Sequence, residues 1–567
     1  MLAFSLTLTH CLLLSPLPTR CAYSAWHGEP ACGSSYLNAQ LRGKLGWDGH
    51  VVSDCTAIEL MQDAKWDGCA PPYPPTSCTP DPFPGHNFTH TVGDTALLAL
   101  TSGTDVNCGP FYRLWLQGLL ANGTVPPALV ATAATRLYTS AVLLGLLDPL
   151  AQQPYAALGV ESVDSAPHRA LALEAASASL VLLKNQGALL PLAPSARLAF
   201  IGPHANASQA LLSNYHGDNV LVDGLTPLLA ARALGLQVTY TPGCRICDTV
   251  PAGFPNMPCT ATGNASGIPA AAAAAAAADV AVLFLGLDQT SEAENFDRDN
   301  LLLPGAQTAL ALAVLAAQPN TVLVLISGGL VSSPALLQAA PAVLQAHYGG
   351  QMGGVALVHV LTGAVNPSGK LPLTMYYNNI TERDIREMDL AASGGITHSY
   401  IEGPVLLPFG HGLSYTSFAY AAQWGRSAAG RGAAAAAAAA APTSTSLAIS
   451  AAAATQGDCS ASALNVTAWV TNTGLVAGDV AVLAFLRPVV RVQGGPRQVL
   501  LGFAKAKGLL PGQTQAVALE LGGQRACPFL QRALAHVSSS SSSEAVEFQL
   551  AVGDTEAPAL LRLTATA

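Results

Sequence analysis

The stretch Leu41-Arg-Gly-Lys-Leu-Gly-Trp-Asp-Gly-His-Val-Val-Ser-Asp-Cys-Thr-Ala-Ile-Glu-Leu-Met61 decides how the chain is read. It begins as the end of a helix and turns at Asp48-Gly49. It continues as a short apolar strand and stops abruptly on polar residues. Val51 and Val52 are β-branched and suit a buried parallel strand. Ser53 and Asp54 fall where that strand runs out. A carboxylate there faces the end of a barrel at which barrel enzymes do chemistry. Locally, Ser-Asp before Ala-Ile-Glu-Leu-Met also fits a helix N-terminal signal, with Asp54 as a plain cap.

The wider stretch weighs against the cap. Arg42-Gly43, the aromatic-Asp-Gly turn, the apolar strand and Ser53-Asp54 together resemble the nucleophile segment of glycoside hydrolase family 3. Cys55 after the aspartate is similar to the β-xylosidase and α-L-arabinofuranosidase branch. The resemblance implies Asp54 as catalytic nucleophile. Such an enzyme pairs an ionised carboxylate with a protonated acid about 5–5.5 Å away. Cys21-Ala-Tyr-Ser-Ala-Trp-His-Gly28 resembles an earlier barrel-strand segment of the family. It implies Tyr23 as a sugar contact beside Cys55. The expected disulfides are Cys55 with Cys108 and Cys21 with Cys32, although sequence does not fix connectivity.

The chain has 567 residues, half of them hydrophobic and a tenth charged. That is long enough for several cores and too apolar for global disorder. A net charge of −9 without a dense basic cluster argues against a nucleic-acid partner. Twelve cysteines and sequons at Asn87, Asn122, Asn206, Asn264, Asn379 and Asn465 point to the secretory pathway and an extracellular glycoprotein. Residues 1–18 hold a signal-like apolar run without a basic start, the alternative being an artefact of the coding assignment. No apolar stretch makes a convincing membrane span. Cys244-x-x-Cys247 stands apart from any second zinc-type pair, and neither metal nor organic cofactor is called for.

In order, residues 19–150 alternate strand and helix, as in the later part of a (β/α)8 TIM-type barrel. A complete barrel takes about 250 residues. The earlier strands are therefore expected either upstream of Met1 or to be missing from the protein. A Pro-rich loop, Trp66–Thr91, holds Cys69 and Cys78. Thr104-Asp-Val-Asn-Cys-Gly109 resembles a further step of the family, which implies Asp105 as a structural or rim residue rather than a catalyst. Residues 165–425 read as an α/β sandwich domain, with strand segments at 179–185 and 199–206 ending in polar turns, at 279–287, and at 321–329 ending in a glycine turn. The nine alanines Ala270–Ala278 are expected to be helical.

An acidic loop follows the strand at 279–287. The resemblance implies that this loop supplies the general acid/base, with Glu294 the choice and Glu292 the runner-up. Such a carboxyl has to stay protonated near neutral pH, through burial and the neighbouring charge of Asp54. Asp297 and Arg298 are expected to lock the loop as an ion pair. Val405-Leu-Leu-Pro-Phe-Gly-His-Gly-Leu-Ser-Tyr-Thr-Ser-Phe418 resembles the family's closing signature, with His411 structural. Residues 426–460 read as an Ala-rich linker. Residues 461–567 read as a fibronectin type III-like β-sandwich, with Ser538–Ser543 a loop insertion.

The expected function is a retaining exo-glycosidase acting on β-1,4-xylosides, and on α-L-arabinofuranosides as well, in xylan and arabinan breakdown. Its expected partners are xylo-oligosaccharides and arabinoxylan. The alternatives are an inactive glycan-binding relative and, within the enzyme class, a β-glucosidase or N-acetylhexosaminidase.

Overall fold

The computed structural model describes residues 19–26, 28–62, 85–216, 226–246, 264–294, 298–425, 446–450, 464–489, 494–521, 546–555 and 558–566. The apolar segment 1–18, most of the loop with Cys69 and Cys78, Cys247, Asp297, the alanine run of the linker and the serine run lie outside them. The chain divides into two compact units, Met1–Val163 and Asp164–Ala567.

The first unit is organised by two short parallel strands, β1 (Thr19–Cys21) and β2 (Val51–Ser53). Their register pairs Thr19 with Val51 and Cys21 with Ser53. Val106 makes a further parallel bridge to Val52 on the other side. Three chain segments thus run side by side in one direction. Helices Val92–Thr101, Phe111–Ala121 and Pro127–Leu143 follow. The first starts at Thr91, whose hydroxyl oxygen accepts the Asp94 N–H at 3.1 Å. The last starts on a proline, which needs no donor partner there. Val51, Ile58, Met61, Phe111, Leu119 and Val125 form the shared core.

The second unit opens with a six-stranded sheet built from β3 (Val181–Asn185), β4 (Leu198–Ile201), β5 (Val238–Thr241), β6 (Val280–Gly286), β7 (Thr321–Ile326) and β8 (Ala342–Gln345). The order across the sheet is β3-β8-β7-β6-β4-β5. All neighbours are parallel except β3 against β8. Alternate residues face two separate cores. Phe200, Val282, Phe284, Val322 and Val324 pack with Leu228 and Leu357. Ile201, Leu283, Leu285, Leu323 and Leu325 pack with Ala275 and Leu310. Both faces are covered by helices, which is why these strands are nearly continuous apolar runs. The alanine run is helical over Ile268–Ala276, and its small side chains let Ala271 and Ala275 pack closely beneath the sheet.

Two antiparallel sheets complete this unit. β9 (Phe418–Gly425), β11 (Leu464–Asn472) and β14 (Thr514–Leu521) form one, in the order β9-β11-β14. The other contains β10 (Ser446–Ser450), β12 (Gly478–Pro488), β13 (Val499–Leu509), β15 (Val546–Gly553) and β16 (Ala559–Thr566), in the order β10-β16-β15-β12-β13. In this sheet only β10–β16 is a parallel pair. Val466, Val470, Leu519, Val482, Leu486 and Phe548 from the two sheets meet in one core.

These pairings correct two boundaries. Residues 418–425 are not the tail of the α/β domain: they pair along their length with β11. Residues 446–450 are not linker: they pair with Arg562–Thr566. The first was hidden because Phe418, Tyr420, Ala422 and Trp424 alternate inward against other alanines, which blunts the period-two signal.

The signature at 405–418 joins the sheets within this unit. The Leu183 carbonyl accepts from His411 Nε2 at 2.9 Å, and Leu413 bridges Leu182. Phe409 stacks on His398 and meets Phe485 edge-on. At Gly410 φ is +82°, and a Cβ would strike Leu483 and Thr555.

Candidate active site

Asp54 stands directly after β2, as the strand reading required. It does not cap a helix through its side chain. Its Oδ1 accepts the Cys55 N–H at 2.8 Å and a bond from the Arg20 guanidinium of β1. The carboxylate is about one-fifth exposed (22%), so it reaches solvent while tied to β1 and to its own turn. Its own N–H donates to the Cys21 carbonyl at 2.8 Å, and the Thr56 N–H donates to Cys108 O at 2.8 Å. Disulfides Cys21–Cys32 and Cys55–Cys108 are both present. The second fastens the turn after Asp54 to the adjacent strand-like segment. Thr56 itself has φ +67°, a strained value for a β-branched residue, held in place by these ties.

Tyr23 lies beside this turn. Its hydroxyl donates to the Cys55 carbonyl at 2.7 Å, and its ring is 41% exposed. His86 Nε2 donates to the Tyr23 carbonyl at 2.6 Å. Tyr23, Asp54 and Cys55 are therefore brought together. Arg20 was invisible to sequence reasoning, because nothing local links it to residue 54; only the β1–β2 register does.

Asp105 is buried and structural. Its side chain is 2% exposed and accepts from Arg42 at 2.9 Å, Arg136 at 3.0 Å and the Val51 N–H at 2.9 Å. Arg42 also donates to the Gly49 carbonyl at 2.9 Å and lies over the Trp47 ring. The Arg-Gly and Trp-Asp-Gly parts of the motif thus set where β2 begins.

In the second unit, strands β4 to β8 have the spatial order 2-1-3-4-5 when counted along the chain. The order reverses between β4 and β6, the crevice where ligands of open α/β sheets bind. The acidic loop leaves the carboxyl end of β6 at this place. Gly286 ends the strand with φ +152°, and a Cβ there would sit 1.7 Å from the Ile326 carbonyl oxygen. The buried Gln307 amide holds both Gly286 N–H and C=O, at 2.8 and 2.9 Å. The loop then turns on Asp288, whose Oδ1 accepts from Thr290 N–H at 2.9 Å.

Glu292 is fixed. Its carboxylate accepts the Gly328 N–H at 2.7 Å, the Gly329 N–H at 3.0 Å and the Tyr348 hydroxyl. Burial and the hydrogen bond to Glu292 push the Tyr348 hydroxyl well up from its ordinary value, so it stays a donor. Arg298 lies 3.8 Å from Glu292 and donates to the Leu330 carbonyl at 2.8 Å. The expected Asp297–Arg298 pair falls partly outside the described residues, and the arginine is oriented towards Glu292. Glu294, two residues on, is exposed. Asp54 belongs to the first unit and Glu294 to the second.

The first unit thus offers a strand-end carboxylate beside a tyrosine, and the second an acidic loop at the switch point of its sheet. Residues 180–415 match the glycosyl hydrolase family 3 C-terminal domain. The chain is 34% identical over 530 residues to a probable exo-1,4-beta-xylosidase of Aspergillus fumigatus, covering 88% of this chain and 60% of that one. It is 32% identical over 556 residues to probable beta-D-xylosidase 7 of Arabidopsis thaliana, covering 96% and 66%. Among solved structures, it superposes on a family 3 exo-beta-xylosidase in complex with a xylobiose aziridine activity-based probe with a TM-score of 0.78 and 25% identity, covering 97% and 66%. A β-glucosidase from Erythrobacter marinus gives 0.70 and 28%, covering 95% and 66%. The chain belongs to glycoside hydrolase family 3. It spans about 60% of the length of the fungal relatives it matches.

Proposed function

We propose that this chain works as a retaining exo-glycosidase that releases xylose from β-1,4-xylosides, with α-L-arabinofuranosides as a second substrate class. Asp54 is the nucleophile and attacks the anomeric carbon. Glu294 protonates the leaving oxygen and then takes a proton from the water that resolves the glycosyl-enzyme. Arg20 holds Asp54 in place, and Tyr23 contacts the sugar through its exposed ring. Glu292 anchors the loop and does no proton transfer.

The observation that carries the reading is Asp54, partly exposed at the end of a parallel strand and fixed by its neighbours. The β-xylosidase names of the relatives support the sugar class. Three segments running in parallel (19–21, 51–53 and 106), followed by helices, support the later part of a (β/α)8 barrel over residues 19–150. Two antiparallel sheets around one core support a fibronectin type III-like domain, which on this reading starts at β9. The two disulfides support an extracellular protein.

The test is incubation of the full chain with a 2-deoxy-2-fluoro-xyloside carrying a good leaving group, followed by peptide mass mapping. A trapped xylosyl group on the Asp54 peptide is expected. Label on another carboxylate overturns the nucleophile assignment. No label and no turnover, with xylo-oligosaccharide binding retained, favours the glycan-binding alternative.

A further inference from the structure

A cleft of about 800 Å³ opens in the second unit and is not used by the chemistry above. One wall is the turn Tyr377-Asn-Asn-Ile-Thr-Glu382, where residues 378–382 form a 3₁₀ helix. The facing wall carries Gly394, Gly395 and Gly403. Ser393, Gly394 and Gly395 all have positive φ, so the backbone bends back sharply with little side chain on this side. A Cβ at Gly394 or at Gly403 would meet nothing within 4 Å. Gly394 and Gly403 therefore leave room, whereas Gly395 permits the close approach of the Tyr400 carbonyl, 2.2 Å from where its Cβ would sit.

The turn contains the sequon Asn379-Ile-Thr381. Asn379 is exposed and lines the cleft, and so does Tyr377, two residues before it and 39% exposed. A sugar attached to the Asn379 amide starts at the cleft wall with an aromatic face beside it and an open glycine wall opposite. Three other sequons lack this setting. The amide oxygens of Asn122 and Asn264 accept from the N–H two residues on, at the protein's outer turns. Asn206 is exposed as well, but its amide oxygen accepts the Thr226 hydroxyl at 3.0 Å.

We propose that Asn379 is an N-glycosylation site whose innermost N-acetylhexosamine lies in this cleft against the Tyr377 ring. The transfer forms the bond between Asn379 Nδ2 and the anomeric carbon of a lipid-diphosphate-linked oligosaccharide. The bond from that carbon to the diphosphate oxygen breaks, the lipid diphosphate leaves, and the amide proton passes to a base of the transferase. The Thr381 hydroxyl completes the acceptor motif. The site rests on passage of the chain through the secretory pathway, part of the function proposed above, but on no catalytic role of Asp54 or Glu294.

The full chain, produced behind a heterologous leader in a eukaryotic secreting host, separates these premises. Glycopeptide mass mapping is expected to find Asn379 occupied. Peptide-N-glycosidase F acting on the native protein is expected to release this glycan about tenfold faster from Tyr377→Ala than from wild type, the size of an aromatic stacking contact, with Tyr377→Phe unchanged. Gly403→Leu, on the opposite wall where a side chain meets only open space, is expected to accelerate release in the same way with no effect on folding. An unoccupied Asn379, or release at the same rate from wild type, Tyr377→Ala and Gly403→Leu, overturns the proposal. Loss of xyloside turnover in any of these proteins bears on the function proposal alone.

Discussion

The two regions that carry candidate catalytic carboxylates are built in opposite ways. Asp54 is itself the tethered residue: Arg20, the Cys55 N–H and a disulfide one residue away all hold it or its turn. Glu294 is held by proxy. Glu292 takes the donors of Gly328, Gly329 and Tyr348, and the chain beyond it carries Glu294 into solvent. A nucleophile must meet one carbon from one direction, so fixing it lowers the barrier by positioning. A residue that gives a proton and later removes one works at two oxygens and gains from an anchored but less confined support. On the proposed roles, the contrast is between a reagent that is tethered itself and one whose neighbour is tethered for it.

The sharpest way to break this comparison is Asp54→Ala. Turnover of aryl β-xylosides is expected to fall by about 10⁴-fold or more with the circular dichroism spectrum unchanged. Near wild-type rates would remove Asp54 from the chemistry. Glu294→Gln is next, with an expected loss of about 10²–10⁴-fold on substrates with poor leaving groups and a far smaller loss on activated aryl glycosides. Glu292→Gln is expected to lower stability without that leaving-group dependence. If Glu292→Gln shows it instead, anchor and reagent are exchanged.

Two variants sharpen the comparison on the side of the tethered region. Asp105→Ala leaves Arg42 and Arg136 with only the exposed Asp48 carboxylate, 3.8 and 3.6 Å away, and is expected to cost about 3–5 kcal/mol in urea unfolding. The Cys55→Ala/Cys108→Ala pair is expected to cost about 2–4 kcal/mol, with kcat falling more than KM rises, because the turn beside Asp54 loosens. A double variant with unchanged kcat would show that the disulfide serves the fold alone.

The smallest effect concerns Glu59, 3% exposed and five residues after Asp54. Burial pushes its carboxyl up from the ordinary 4.5. Its stabilising contribution is therefore complete below that value and lost as pH rises through the folded-state value. Glu59→Gln is expected to flatten this loss, raising the thermal midpoint at pH 7–8 relative to wild type and leaving it alone at pH 4. An unchanged pH dependence would mean that Glu59 is not the group responsible.

The parts of this molecule legible in its sequence were those written in local pattern. Apolar runs of seven and six residues became β6 and β7, the alanine run became a helix, and polar residues after valines became a strand end. What stayed hidden was long-range. Gln307 capping Gly286, Arg136 reaching Asp105 and Tyr348 holding Glu292 join residues far apart in the chain, and none has a local signature. The choice between Glu292 and Glu294 sits on that divide, since the two look alike in sequence and only the fold reveals which one is engaged. β9 and β10 were hidden for a further reason: their neighbours in sequence are alanine-rich, and alanine, a strong helix former depleted in strands, masks the alternation that marks a strand.

The parallel pairing of Ser446–Ser450 with Arg562–Thr566 has a consequence for how the protein is made. Roughly a hundred residues separate the partners, and closing so long a loop is slow. Chains emerge from the ribosome N-terminal end first, and domains tend to fold as they emerge. The six-stranded sheet, whose strands lie within residues 181–345, has all its partners early. The five-stranded sheet has to wait for its second strand until roughly a hundred further residues have been made after β10. Until then the edge that β10 presents is open, and a ribosome-bound intermediate holding one finished sheet and one unsealed edge is the form in which this chain is most exposed to aggregation and chaperone capture.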